Sequence, residues 1–347
     1  MRVNFAVGMG RNERMDEIAG LARLADDCGF AHMTLVDEPY LARDVNVMAT
    51  VAATNTRRIR IGQGVVDPAT YHPSALANAA ASLCELTGGR AFLGIGAGGP
   101  FGKLMKPLPH ADLREAVLFV RKFMAGEEAV FKGGRMQSEW IRGPVPLYVA
   151  ADGPRALELA GEVADGVYFM GGPPALVKWK VERIYRGAER AGRDPSRLDI
   201  CVRSYIYVTE SKEQAWREAA GFVPFGIRVL ENLKKEPAIV ELFQGLERES
   251  PGILDEMRRF AAAAAGYTRA DGYNPWFEKI DAPYAHLMTQ RIIDCVHMIG
   301  TPGEIREKIA RLVEAGATTI ATATYTILDK KGMLRRIADE IMPHFRN

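Results

Sequence analysis

The chain has 347 residues, 45 basic and 43 acidic side chains and a formal net charge of +2; apolar residues make up 48% and charged ones 25%. This is the balance of a soluble globular protein long enough to bury a large core, which excludes disordered, collagen-like and coiled-coil classes. The near-equal charges exclude nucleic-acid binding by bulk charge, so no nucleic-acid partner is expected.

Four cysteines, at 28, 84, 201 and 295, lie far apart without a C-x-x-C pair. Neither a structural zinc site nor a disulfide framework is expected, and a reducing cytoplasm is. No apolar run has the length of a signal peptide or a membrane span, so no membrane partner is expected.

The hydrophobic pattern predicts a strand at 3–8 and a helix at 13–28, where Ile18, Leu21, Ala22, Leu24 and Ala25 recur at helical spacing. Gly29 follows, where a left-handed cap belongs. Strands are then predicted at 32–36, 59–66, 91–95, 147–150 and 167–170. They alternate with helices at 46–55, 73–86, 111–124, 154–164 and 175–191. Residues 127–143 read as a small irregular insertion, and 199–208 as the seventh strand. The alternation breaks at about 211–298, which reads as a helical insertion forming a lid. It resumes at Thr301-Pro302-Gly303-Glu304, an N-cap followed by proline and an acid at the third position. That helix ends before Gly316, and a strand at 318–324 and a helix at 333–342 close the chain.

Eight β units, each followed by helical material, predict the α/β class and a closed (β/α)8 TIM barrel. Residues 1–347 are read as a single barrel domain carrying the insertion at about 211–298. The alternative is an open doubly wound sheet. In a barrel, chemistry belongs where strands end and the next loops begin.

The second strand ends in Asp37-Glu38-Pro39-Tyr40. Two adjacent carboxylates suit proton chemistry if one has a raised pKa; otherwise they are a solvated turn or cap nearby amides. The third strand ends in Gly62-Gln63-Gly64-Val65-Val66-Asp67-Pro68, where Gly64 permits either a close ligand or a β-bulge. The fourth ends in Gly94-Ile95-Gly96-Ala97-Gly98-Gly99. Its glycines match G-x-G-x-x-G in form, but no helix opens at once and no acid-tipped strand follows, so it is not a dinucleotide fingerprint. The fifth strand runs through Ala150, Ala151, Asp152, Gly153 and Pro154 into a helix. The free N–H groups of that start suit an anion, unless Asp152 simply caps it. Gly171 follows the sixth strand. Strand ends so poor in side chains suit a large cofactor lying on the backbone. The histidines at 32, 72, 110, 286, 297 and 344 form no close ligand pair, so no metal is expected.

Five segments together resemble one family: 21–30 with 35–38, 59–73, 85–98 (ELTGGRAFLGIGAG), 146–166 (PLYVAADGPRALELAGEVADG) and 299–317 (IGTPGEIREKIARLVEAGA). The resemblance is to the bacterial luciferase-like flavin and deazaflavin oxidoreductases, nearest the coenzyme F420-dependent methylene-tetrahydromethanopterin reductase branch. It implies the barrel fold, F420 at the barrel mouth (FMN as the alternative cofactor) and a homodimer. It further implies a non-proline cis peptide at Gly64-Val65 behind the ring, Gly98 and Gly171 beside the cofactor, and a phosphate held by the backbone of 150–154. Asp37 and Glu38 would stand at the reacting centre, with Glu38 as proton donor or acceptor.

Two departures stand out. The family's frequent Asp-His is Asp37-Glu38 here, and Gly8 stands where the methanopterin branch has an acid on its first strand. The function expected is hydride transfer between F420 and a small-molecule substrate. The alternatives are an FMN-dependent monooxygenase using oxygen, and a barrel that binds a ligand without catalysis. The insertion's Tyr267, Tyr273, Trp276 and Phe277 either close over a substrate or pack between helices.

Overall fold

A computed structural model describes residues 2–11, 13–38, 41–98, 107–141, 143–269 and 274–346, without the side chains of Phe277 and Glu278. Eight strands form a closed barrel: β1 (Asn4–Met9), β2 (His32–Leu35), β3 (Arg60–Val66), β4 (Ala91–Ile95), β5 (Leu147–Ala150), β6 (Gly166–Met170), β7 (Asp199–Arg203) and β8 (Thr319–Ala323). Each is the neighbour of the next in chain order, and β8 returns to β1. The recorded pairings are parallel, for example Met9 with Leu35 and Tyr148 with Gly166. Helices α1 (Met15–Cys28), α2 (Val45–Thr54), α3 (Pro73–Thr87), α4 (His110–Met124), α5 (Pro154–Val163) and α6 (Pro174–Arg190) follow the first six strands. This is the alternation predicted, with most bounds moved by one or two residues.

Residues 5–168 and 183–200 form one compact unit; residues 1–4, 169–182 and 201–347 form another. In the first, α1 ends at Gly29 with φ at 79°, the left-handed cap expected there. Its strands carry aromatic side chains near their N-terminal ends. The ring of Phe92 lies 5.5 Å from His32 and 5.2 Å from Tyr148, and Tyr148 lies 5.3 Å from Tyr168. The Tyr148 hydroxyl donates to Asp199 Oδ2 at 2.9 Å, satisfying a polar atom among packed rings. The irregular stretch at 127–143 contains a hairpin of Ala129–Phe131 and Gly134–Met136.

In the second unit the predicted strand at 199–208 is two strands. β7 ends at Arg203, and Ile206–Val208 pairs in parallel with Met298–Gly300. The break comes from diverted backbone donors. Ser204 N–H bonds the Ala321 carbonyl, Tyr205 N–H bonds His297 Nδ1, and Ile206 N–H bonds Thr322 Oγ1. Five helices follow: α7 (Lys212–Ala219), α8 (Val223–Asn232), α9 (Pro237–Glu249), α10 (Ile253–Ala265) and α11 (Gln290–Val296). Phe260 and Tyr284 pack edge to face at 5.4 Å, and Tyr267 lies 6.5 Å from Trp276. These contacts are the packing alternative for that stretch; Tyr273 and the Phe277 side chain lie outside the described residues.

Helix α12 (Pro302–Glu314) opens on a capping box in which Thr301 and Glu304 bond each other's backbone N–H, at 3.4 and 2.7 Å. After α13 (Lys330–Arg336) the chain continues as wider and then tighter helical turns to Phe345. Pro343, which lacks an N–H, stands in the last of these. Among the described residues no helix is long and apolar enough to cross a membrane.

Candidate active site

The C-terminal ends of β1 and β2 meet through a buried ion pair. Arg11 follows β1, Glu38 follows β2, and Arg11 Nη2 bonds Glu38 Oε1 with both side chains 5% exposed. The turn that delivers Arg11 is held by Glu13, which accepts from Gly10 N–H at 2.8 Å; Arg43 donates to the Glu13 carbonyl at 2.7 Å. Glu38 is thus built into the wall between the two strand ends.

Asp37 is in a different position. It is 6% exposed and accepts from the Tyr71 hydroxyl through Oδ1 at 3.3 Å. Its Oδ2 is buried with no hydrogen-bond partner among the described residues. Burial pushes the Asp37 carboxyl up to about 6; the carboxylates of Asp44 and Asp67 add to the rise and the Tyr71 bond opposes it. Tyr71, also desolvated and beside Asp37, is pushed up to about 12 and stays a donor. A carboxyl titrating near neutrality, with one oxygen fixed and the other free, is equipped to give or take a proton.

Tyr71 is aimed by the turn after β3. The Asp67 carbonyl accepts from Thr70 N–H at 2.9 Å and Tyr71 N–H at 3.2 Å. The Asp67 side chain is 4% exposed, bonds Ala69 N–H through Oδ1 at 2.8 Å and leaves Oδ2 buried without a partner among the described residues. Burial raises its pKa too.

The Gly64-Val65 peptide is cis, and the register between β3 and β4 shifts between Gln63 and Val66. Both alternatives at Gly64 are therefore bounded by one feature: a bulge is present. A Cβ on Gly64 would come within 2.7 Å of Thr34 Cβ. The glycines of β4 make room for this bulge. A Cβ on Gly94 would lie 2.9 Å from the Gln63 carbonyl oxygen, and one on Gly96 would lie 2.9 Å from Val65 Cγ2. Gly98 has φ at +88°, and its Cβ would meet Asp67 Oδ2 at 2.5 Å. Gly99 lies outside the described residues.

At the end of β5, Ala151 N–H bonds the Tyr168 carbonyl at 2.9 Å. The N-cap of α5 is Gly153, not Asp152, and it offers no side-chain acceptor; Pro154 occupies the first turn. The helix dipole and the first-turn N–H groups at Arg155 and Ala156 suit an anion. In the other unit, Gly171 N–H donates to the Arg203 carbonyl at 2.7 Å, and a Cβ there would lie 3.1 Å from that oxygen.

Strand-end reasoning located Asp37, Glu38, the bulge and the glycines. It passed over Arg11, Tyr71 and Asp67. Arg11 and Asp67 also stand at strand ends, so the same rule reaches them; Tyr71 is tied to Asp37 only by the fold. His72 is the exposed N-cap of α3 and accepts from Ser74 N–H at 3.2 Å.

Known proteins match this architecture along its length. Residues 3–319 match the luciferase-like monooxygenase family. The 5,10-methylenetetrahydromethanopterin reductase of Methanolobus tindarius is 30% identical, over 98% of this chain and 100% of its own. That of Archaeoglobus fulgidus is 29% identical, over 99% and 100%. The structure of the coenzyme F420-dependent tetrahydromethanopterin reductase from Methanopyrus kandleri superposes with a TM-score of 0.78 at 23% identity, covering 99% of this chain and 100% of that one. With a family match over nearly all its length, the chain belongs to the luciferase-like monooxygenase family.

Proposed function

We propose that the protein is an oxidoreductase transferring a hydride between coenzyme F420 and a small organic substrate. The observation that carries this reading is the end-to-end similarity to F420-dependent reductases, together with strand ends that fit such a group. When bound, F420 supplies the two-electron hydride chemistry, and the protein supplies position and electrostatics. The bulge at Gly64-Val65 would back the ring, Gly98 would lie beside it, and the backbone from Ala150 to Pro154 would hold its phosphate. The unpartnered Oδ2 atoms of Asp37 and Asp67 are acceptors, or donors when protonated, that a polar ring edge can satisfy.

In this reading Asp37 holds the mobile proton at Oδ2 while Tyr71 fixes Oδ1. Glu38 orients the wall through Arg11, since its Oε1 is committed to that guanidinium. The M. tindarius and A. fulgidus relatives are named for methylenetetrahydromethanopterin. The substrate proposed here stays at the level of a small organic molecule, because β1 carries Gly8 where that branch has an acid. Widely spaced cysteines support a cytoplasmic setting. The family resemblance supports a homodimer, which sedimentation would report.

The test is a titration of the purified chain with F420 and FMN in parallel. Binding of F420 without FMN is expected. FMN binding alone would move the protein to the oxygen-using monooxygenases, and binding of neither would leave a barrel without this cofactor chemistry.

A further inference from the structure

We propose that Arg203 is a substrate anchor that binds a carboxylate or phosphate group; the inference deepens the oxidoreductase reading and rests on it for the reaction served. Arg203 is the last residue of β7, on the end of the strand where this barrel architecture places its ligands. The loops after the seventh and eighth strands of such barrels are frequent sites of anion binding.

The guanidinium lies beside two rings that touch each other, their centres 6.0 Å apart. Its carbon lies 5.4 Å from the centre of Tyr325 and 5.8 Å from that of Phe222. Nη2 donates to the Tyr325 hydroxyl at 2.5 Å. The backbone beneath is fixed as well, because Gly171 N–H bonds the Arg203 carbonyl. One donor of the side chain and the backbone that carries it are therefore set in advance. A guanidinium so arranged presents a fork that matches a carboxylate or phosphate by two parallel hydrogen bonds.

Among the described residues the group has no counter-ion. Arg203 is half-buried, yet no carboxylate among the described residues forms an ion pair with it. Elsewhere in the same unit, Arg291 pairs with Glu256, and Arg336 with Glu210 and Glu340. A phenol satisfies one of the five N–H donors of Arg203 and none of its charge. The neighbourhood registers that uncompensated charge. His297 stacks on Phe222 at 5.2 Å and accepts from Tyr205 N–H through Nδ1. Burial, then the charges of Arg203 and Lys308, hold it down to about 3, so it stays neutral and adds no second positive charge. A cation kept partly from water beside neutral aromatic and imidazole groups is suited to take up an anion from outside.

The anionic group could come from a substrate or from the cofactor's own tail, and the proposal commits to the substrate. The test uses the full chain, with and without F420, and takes inorganic phosphate and malonate as probes in calorimetric titration. Wild type is expected to bind both anions. Arg203→Met, which keeps an unbranched stem beside the rings, should weaken them about ten-fold or more, and Arg203→Lys, which keeps the charge without the fork, about three-fold or more. Tyr325→Phe keeps the ring and removes only the hydroxyl, and should weaken anion binding a few-fold while leaving the melting temperature near wild type. F420 affinity should stay within about two-fold in the Arg203 variants, a change too small to represent a lost charged contact.

Equal anion binding by wild type and Arg203→Met overturns the proposal. So does a ten-fold loss of F420 affinity, which would put the guanidinium on the cofactor tail. Failure of wild type to bind F420 would instead defeat the cofactor reading, while the titration without F420 still reports on Arg203.

Discussion

Asp67 Oδ2 occupies the space that a Cβ on Gly98 would need, 2.5 Å away, and Gly98 holds a left-handed backbone at φ +88°. The end of β4 and the turn after β3 are therefore fitted to each other. A buried carboxylate takes the volume released by a missing side chain, and its other oxygen is tied to Ala69 N–H.

Replacing Gly98 by Ala should cost about 1–3 kcal/mol, combining a left-handed L-residue with displacement of Asp67. Urea denaturation of Gly98→Ala in wild-type and Asp67→Ser backgrounds separates the two contributions. The penalty should shrink in the second background toward the backbone cost alone. Equal penalties would show that Asp67 does not set the fit.

Val65 and Gly96 are coupled in the same way, since a Cβ on Gly96 would lie 2.9 Å from Val65 Cγ2. Gly96→Ala should destabilise by about 1–3 kcal/mol through overpacking and weaken F420 binding by tilting the bulge. Adding Val65→Ala should restore part of the stability. A double-mutant cycle showing plain additivity would contradict this packing.

Asp37 makes stability depend on pH with a definite sign. Its pKa is raised to about 6 in the native state, so the native state binds the proton more tightly than the unfolded chain does. That contribution is present below the carboxyl's ordinary range and is lost as pH rises toward about 6. Relative to wild type, Asp37→Asn should gain about 1–3 kcal/mol of stability on going from about pH 4 to about pH 7. Chemical denaturation at the two pH values measures the gain, and a difference independent of pH would remove the raised pKa. The same variant should lower turnover by about 100-fold or more, as expected for loss of a general acid or base.

Arg11 and Glu38 should behave as a unit. Each is 5% exposed, so Arg11→Met or Glu38→Gln takes a buried counter-charge from the other and should cost about 3–5 kcal/mol. The double variant should cost much less than the sum of the singles. Denaturation curves for all four proteins give the coupling directly. If Glu38→Gln instead abolished turnover at unchanged stability, Glu38 rather than Asp37 would be the proton-handling carboxylate.

Much of the barrel was legible from local pattern. The alternation of short β-branched runs with amphipathic helices, the cap at Gly29 and the Thr301 to Glu304 helix start each depend on neighbours in sequence, and each appears in the structure. The sequence predicts one strand over 199–208 because most of its residues are apolar and β-branched or aromatic. The interruption at Ser204 and Tyr205 comes from backbone donors captured by Ala321 and His297, about which local propensity carries no information.

The candidate site divides along the same line. Asp37, Glu38, Gly64, Gly98 and the 150–154 turn were visible because strand ends and glycines are marked in the sequence itself. Which carboxylate is engaged and which is free was not visible. Glu38 meets Arg11 across 27 residues, Asp37 meets Tyr71 across 34, and Arg203 meets Tyr325 across 122. Periodicity and turn chemistry act over a few residues and so determined the class of fold and the ends of its strands. Charge pairing, burial and the resulting pKa values depend on what the closed chain brings within a few ångströms, and only the tertiary structure decided those.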